Sequence, residues 1–175
     1  MIKKHSLAII CAGSILVLSG VIMGAAKDAG KISIFNARTS KVDLVERVFK
    51  TSAEWKKVLT PEQYRVTRQK GTERPVSGSC SLPGEEGIYE CVGCGTALFS
   101  AKTKFVSGTG WPSFWQPVSE LNIKVFTDSS LGMQRVEVIC ARCGAHLGHV
   151  FADGPPPTGK RYCINAVALK FVANK

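Results

Sequence analysis

"CARCGAHLGHVF", residues 140–151, decides the reading of this 175-residue chain. It opens with two cysteines in a C-x-x-C pair, follows the second with glycine, and then brings His146 and His149 into a short apolar run. Its first half has a twin in "CVGCG", residues 91–95. A C-x-x-C-G segment suits a knuckle, because glycine accepts the tight turn that aims both sulfurs at one centre. Four thiolates satisfy a closed tetrahedral site, so Cys91, Cys94, Cys140 and Cys143 are the candidate ligands of one structural Zn2+ per chain. The stretch between the pairs exceeds the roughly 15–20 residues of a compact ribbon, so the knuckles are expected on hairpins that meet in space. A redox dithiol or two disulfides would be the other uses of the same cysteines.

Outward from the knuckles the chain reads as strands. "GIYEC", "NIKVFTD", "QRVEVIC" and "CINAVALKFV" are short, rich in β-branched or aromatic residues, and punctuated by Gly, Pro, Ser and Asp. "GPPPTG", residues 154–159, cannot lie inside a helix or strand and is expected as a rigid loop. Ahead of the strands, Thr51 with Glu54 and Thr60 with Gln63 make two capping boxes, the second with Pro61 in the first helical position. These predict two short helices leading into a mainly β domain of antiparallel sheets over residues 49–173. Residues 27–48 are polar, mixed in charge and without sustained period, and read as a spacer.

Residues 1–26 stand apart. Lys3 and Lys4 precede an uncharged, largely apolar run over residues 6–26, which reads as a signal peptide or an N-terminal membrane anchor. The run is long enough to cross a bilayer, which takes about 20 residues, whereas a signal core is usually shorter. Small residues at Gly24 and Ala26 would suit a peptidase. In either case the leading lysines put the domain on the extracytoplasmic side, secreted or anchored to the membrane. Cys11 lies within this run and reads as one more apolar residue. The formal charge of +10 comes mostly from residues 1–75, while the cysteine-bearing part is close to neutral. No basic stripe with interleaved aromatics marks a nucleic-acid partner.

Setting aside Cys11 and the four ligand candidates leaves Cys80 and Cys163. A cysteine at the end of an apolar face is often plain packing. A strand starting at Cys163 would carry Asn165, Val167 and Leu169 on the same face. Arg161 is nearby, with Asp153 placed to pair with it across the proline loop, and His146 and His149 follow the second knuckle. A lone cysteine near two histidines suits a nucleophile with an acid. "SGTGWPSFW", residues 107–115, adds a glycine-freed loop stiffened by Pro112 that would present Trp111, with Phe114 and Trp115 assigned to the core.

"SGTGWPSF", "CGAHLGHVFADGPPPTGKRYCIN" and the two C-x-x-C pairs together resemble the B-type methionine sulfoxide reductases, over about residues 55–172. The resemblance implies the methionine-R-sulfoxide-reductase/Mss4-like fold, with two packed antiparallel sheets and a structural zinc. It also implies reduction of the R epimer of methionine sulfoxide in proteins or peptides by a thioredoxin-like reductant. Cys163 is then the nucleophile; His146, His149 and Asn165 line the polar side; Trp111, Arg161 and Phe151 contact substrate. Arg161 is expected to favour the Cys163 thiolate. Thr109 stands where many members of that family carry a resolving cysteine. Cys80, in a Gly-, Ser- and Pro-rich stretch, is the remaining thiol able to take that part. A monomer is expected. A zinc-knuckle module that only docks on a protein would need the four ligands but neither Cys163, Trp111 nor the histidines. A dithiol exchanger would need a C-x-x-C that holds no metal.

Overall fold

A computed structural model describes residues 30–75, 86–129 and 132–174. The expected leader or anchor over residues 1–26, Cys11 and Cys80 all lie outside them. Among the described residues no helix is long and apolar enough to cross a membrane.

The two capping boxes form as the sequence predicts. Thr51 caps α1 (Ser52–Val58) and Thr60 caps α2 (Pro61–Gln69), each hydroxyl accepting from the third helical N–H while that residue's side chain returns the bond. α1 buries Trp55 and α2 buries Val66 and Thr67. The Arg68 guanidinium lies 3.8 Å over the Trp55 ring, joining the helices at their buried side.

Eleven strands among the described residues, two before the helices and nine after, form three antiparallel sheets: β1 (Lys31–Asn36), β2 (Lys41–Glu46), β3 (Gly87–Cys91), β4 (Ala97–Ser100), β5 (Lys104–Phe105), β6 (Ser113–Phe114), β7 (Ile123–Asp128), β8 (Arg135–Cys140), β9 (His146–Phe151), β10 (Arg161–Ile164) and β11 (Leu169–Ala173). A six-stranded sheet runs β5-β6-β10-β9-β8-β7 and a three-stranded one β11-β3-β4. Aromatic rings join these two sheets. Tyr89 of β3 meets Phe114 of β6 at 5.0 Å between centroids, and Phe99 of β4 stacks on Phe114 at 4.5 Å. Each such pair contributes about 0.5–1.5 kcal/mol beyond its buried area. Along β10 the pattern alternates, with Tyr162 and Ile164 buried in this core and Arg161 and Cys163 half-buried on the opposite face.

Two expectations are corrected here. Residues 27–48 are not merely a spacer, because β1 and β2 pair there as a hairpin from Lys31 to Glu46. Its apolar residues fall on both faces, Ile32 and Ile34 on one and Phe35, Val42 and Leu44 on the other, so no single period emerges. Asn122 ties the hairpin to the domain: Phe35 N–H donates to its side-chain oxygen, and its amide donates to Phe35 O, both at 2.8 Å. The second correction concerns "CINAVALKFV", which is not one strand. β10 ends at Ile164, a 3-10 turn covers Ala166–Ala168, and β11 belongs to the other sheet. Asn165 therefore leaves the face that carries Cys163.

Candidate active site

The two knuckles close as expected. Gly95 N–H donates to Cys91 O at 2.8 Å and Gly144 N–H to Cys140 O at 2.9 Å, with Gly95 and Gly144 at φ of 71° and 68°. The four sulfurs lie within 4.8 Å of one another. Cys91 and Cys143 approach to 3.7 Å and Cys94 and Cys140 to 3.5 Å. Arg68 donates to the Cys143 sulfur at 3.2 Å. Neighbouring thiols, Cys140 first, and the Arg68 charge push the Cys143 thiol well down, while the same crowding drives Cys91 and Cys140 well up. Four sulfurs this close ionise together only around a cation, so the donor set fits one metal ion.

Cys163 lies on the face of the six-stranded sheet opposite the aromatic core. Strand register places one residue from every strand in a single row: Phe126, Glu137, His149, Cys163, Ser113 and Phe105. Residues directly opposite in adjacent strands have Cβ atoms about 4.5–5.5 Å apart, so His149 and Ser113 flank Cys163 on its two sides. β9 carries a bulge at Leu147, since Val138 pairs with Gly148 but Ile139 pairs with His146. The bulge returns His146 to the same side as His149, and the rings meet edge-on at 5.5 Å between centroids.

Each histidine is held by a carboxylate, and each carboxylate by a cation. His149 Nε2 is 2.8 Å from Asp128 Oδ2, which also accepts from Arg135 at 2.9 Å. His146 Nδ1 is 2.7 Å from Glu137 Oε1, whose other oxygen accepts from Lys70 at 2.8 Å. Burial pushes Glu137 up, but bonds from Lys70 and His146 bring its carboxyl below the usual range. His146 is itself pushed down by burial, against the pull of Glu137. Sequence reasoning missed Asp128, Glu137, Arg135 and Lys70. The one signal was Glu137 itself, an acid in the alternating run "QRVEVIC" with no local partner.

On the other side of Cys163 lies a cleft of about 400 Å³ lined by Phe105, Val106, Ser107, Thr109, Asp153, Gly154, Pro155 and Arg161. Arg161 donates to both oxygens of Asp153 at 2.9 Å, as its sequence position suggested, and stacks 4.4 Å from the Phe151 ring. Thr109 Oγ1 is 3.9 Å from the Cys163 sulfur and 2.9 Å from Ser107 Oγ, which is 2.8 Å from Ser113 Oγ. Trp111 sits half-buried two residues before Ser113, its indole nitrogen enclosed without a hydrogen-bond partner among the described residues.

One site expectation is outweighed and another changes. Arg161 favours the Cys163 thiolate as expected, together with Thr109, but burial outweighs both and raises the thiol. Asn165 is buried, and its amide is committed away from the cleft. It donates to Leu147 O at 2.9 Å and accepts from Glu73 N–H at 3.0 Å, while Glu73 accepts from the Ala166 and Val167 N–H groups. Asn165 thus braces the end of β10 against β9 instead of lining the polar wall.

The description "SelR domain" belongs to the family model that matches residues 59–173. A peptide methionine sulfoxide reductase MsrB from Methanosarcina barkeri is 61% identical over 124 residues, covering 71% of this chain and 87% of that protein. The protein of that name from Methanosarcina mazei is 58% identical over 125 residues, covering 71% and 89%. One from Pseudomonas putida is 56% identical over 125 residues, covering 71% and 95%. The half-buried cysteine between a histidine and a hydroxyl, the four-sulfur cluster and these similarities lead to one assignment: the chain belongs to the SelR family of MsrB-type peptide methionine sulfoxide reductases.

Proposed function

We propose that this chain reduces the R epimer of methionine sulfoxide in proteins and peptides, with Cys163 as nucleophile. The observation that carries the mechanism is the placement of Cys163 directly opposite His149 in the sheet. The ionised Cys163 sulfur attacks the sulfoxide sulfur, and the oxygen receives a proton from His149. The oxygen ends on Cys163 as sulfenic acid and the thioether leaves, so two electrons pass from the cysteine sulfur to the substrate sulfur. Trp111 supplies the apolar wall for the S-methyl group, and the histidine side receives the oxygen. Opposed apolar and polar walls select one epimer.

Cys91, Cys94, Cys140 and Cys143 would hold zinc, which four thiolates suit. With four protein ligands the ion has no open position, and it supplies folding free energy and no chemistry. Sulfenic acid at Cys163 is resolved by Cys80 as a disulfide with loss of water, and a thioredoxin-like dithiol reduces that disulfide. Lys3, Lys4 and the uncharged run that follows support an extracytoplasmic enzyme, anchored or secreted. A non-catalytic zinc-knuckle module is disfavoured by the two histidine–carboxylate–cation sets beside Cys163. The test is reduction of separate R and S sulfoxide peptides to their methionine forms with a chemical thiol as reductant. Reduction of R alone is expected, and equal turnover of both epimers would overturn the epimer assignment.

A further inference from the structure

We infer that Asp128, clamped by Arg135, is a positioning residue that fixes His149 with its proton on Nε2, leaving Nδ1 to take a proton from Cys163 and pass it to the substrate oxygen. This rests on the reductase reading above and adds to it the device that directs the proton.

The two histidines are braced in opposite senses. Glu137 holds His146 through Nδ1, whereas Asp128 holds His149 through Nε2. A carboxylate accepts, so the ring nitrogen facing it carries the hydrogen, and the other nitrogen of a neutral ring is the basic one. The rings also differ in access: the His146 side chain is 5% exposed and that of His149 13%. Burial keeps His146 neutral. His149 is the more accessible ring and the one directly opposite Cys163. Proton traffic therefore falls to His149, with His146 as a neutral brace at its edge.

Burial raises the Cys163 thiol, and His149 is the ring that strand register sets directly opposite it, so His149 is placed to act as the base that forms the thiolate. The charged groups around His149 are Asp128 from β7, Arg135 and Glu137 from β8, and Arg161 with its partner Asp153 across β10. Asp128 and Asp153 offset the two arginines, and Glu137 offsets Lys70. The sequence of steps balances. Nδ1 takes the thiol proton, giving thiolate and imidazolium; the thiolate attacks the sulfoxide sulfur while the imidazolium returns that proton to the oxygen. The products are Cys163 sulfenic acid, neutral His149 and the thioether. Asp128 stabilises the imidazolium between the two transfers, and Arg135, 2.9 Å from the same carboxylate oxygen, keeps it aimed.

The test has two readouts on the full-length protein. Nitrogen-15 NMR of the histidine rings reads the tautomer without any turnover, and Nε2–H is expected for neutral His149. Asp128→Asn, which keeps the shape but can present an N–H to the ring, is expected to shift His149 toward the Nδ1–H tautomer. It should lower the single-turnover rate by about 100-fold or more while peptide affinity stays within about threefold. Asp128→Glu should restore part of the rate. Nδ1–H in the wild-type ring, or an Asn variant within about twofold of wild type, overturns the proposal. Should the wild type reduce no sulfoxide at all, the reductase reading fails, and the tautomer still reports on the Asp128 clamp by itself.

Discussion

A methyl group placed on Gly148 would lie 2.1 Å from the carbonyl oxygen of Cys163. Gly148 pairs with Ile164 across β9 and β10, beside the Cys163–His149 pair, so the absence of a side chain there is what lets the two strands close at the reacting sulfur. The obstacle is backbone and cannot swing aside. Gly148→Ala is therefore expected to cost about 1–3 kcal/mol of stability as an overpacked site. Urea unfolding checks this, and an unchanged midpoint would show that the strands separate at no cost. The same variant should lose most single-turnover activity, because the strands that carry Cys163 and His149 must move apart.

The four-sulfur cluster predicts dependence of the fold on metal. Removing the ion with a strong chelator, or replacing Cys143 with Ser, should lower the thermal midpoint and metal content together. One zinc per chain is expected by elemental analysis. A chelated protein with its original midpoint would contradict a structural site.

Burial raises the Cys163 thiol above its ordinary value, with Thr109 and Arg161 opposing. The thiolate is the reactive form, and a raised group is protonated over a wider range on the alkaline side. Alkylation of Cys163 by iodoacetamide should therefore reach its half-maximal rate at higher pH than free cysteine in the same buffer. Thr109→Val should move it higher still by removing a hydroxyl 3.9 Å from the sulfur. A midpoint below that of free cysteine would show that the arginine outweighs burial.

The resolving role of Cys80 is open to a separate test. One equivalent of substrate added to reduced wild-type protein without reductant should yield a Cys80–Cys163 disulfide on peptide mapping. Cys80→Ser should release the same single equivalent of methionine but accumulate sulfenic acid and lose thioredoxin-driven turnover. If no such disulfide forms, an external thiol attacks the sulfenic acid directly.

The parts of this molecule that are legible in the sequence are those encoded at short range. The capping boxes of α1 and α2 need only residues three apart, and each knuckle needs five consecutive residues. The Arg161–Asp153 pair was readable because one short loop separates the partners. What was not legible depends on register and on distant partners. Asp128 meets His149, and Glu137 meets His146 and Lys70, only once β7, β8 and β9 are aligned and Leu147 is bulged out. Asn165 looked like a member of the Cys163 face until Glu73, far away in sequence, bound it and the turn after it. The β1–β2 hairpin escaped for a different reason, since its apolar residues occupy both faces and its docking depends on Asn122.

The most direct test of the central claim is a single turnover without reductant, comparing wild type with Cys163→Ser on an R-sulfoxide peptide. The account predicts one sulfoxide reduced to a methionine residue per wild-type chain, with one sulfenic acid or the disulfide derived from it appearing at Cys163. The serine variant should stay folded, keep its metal and reduce none, because a hydroxyl is a far poorer nucleophile near neutral pH. Sulfoxide reduction by the serine variant at more than a trace of the wild-type rate would contradict Cys163 as the reacting group.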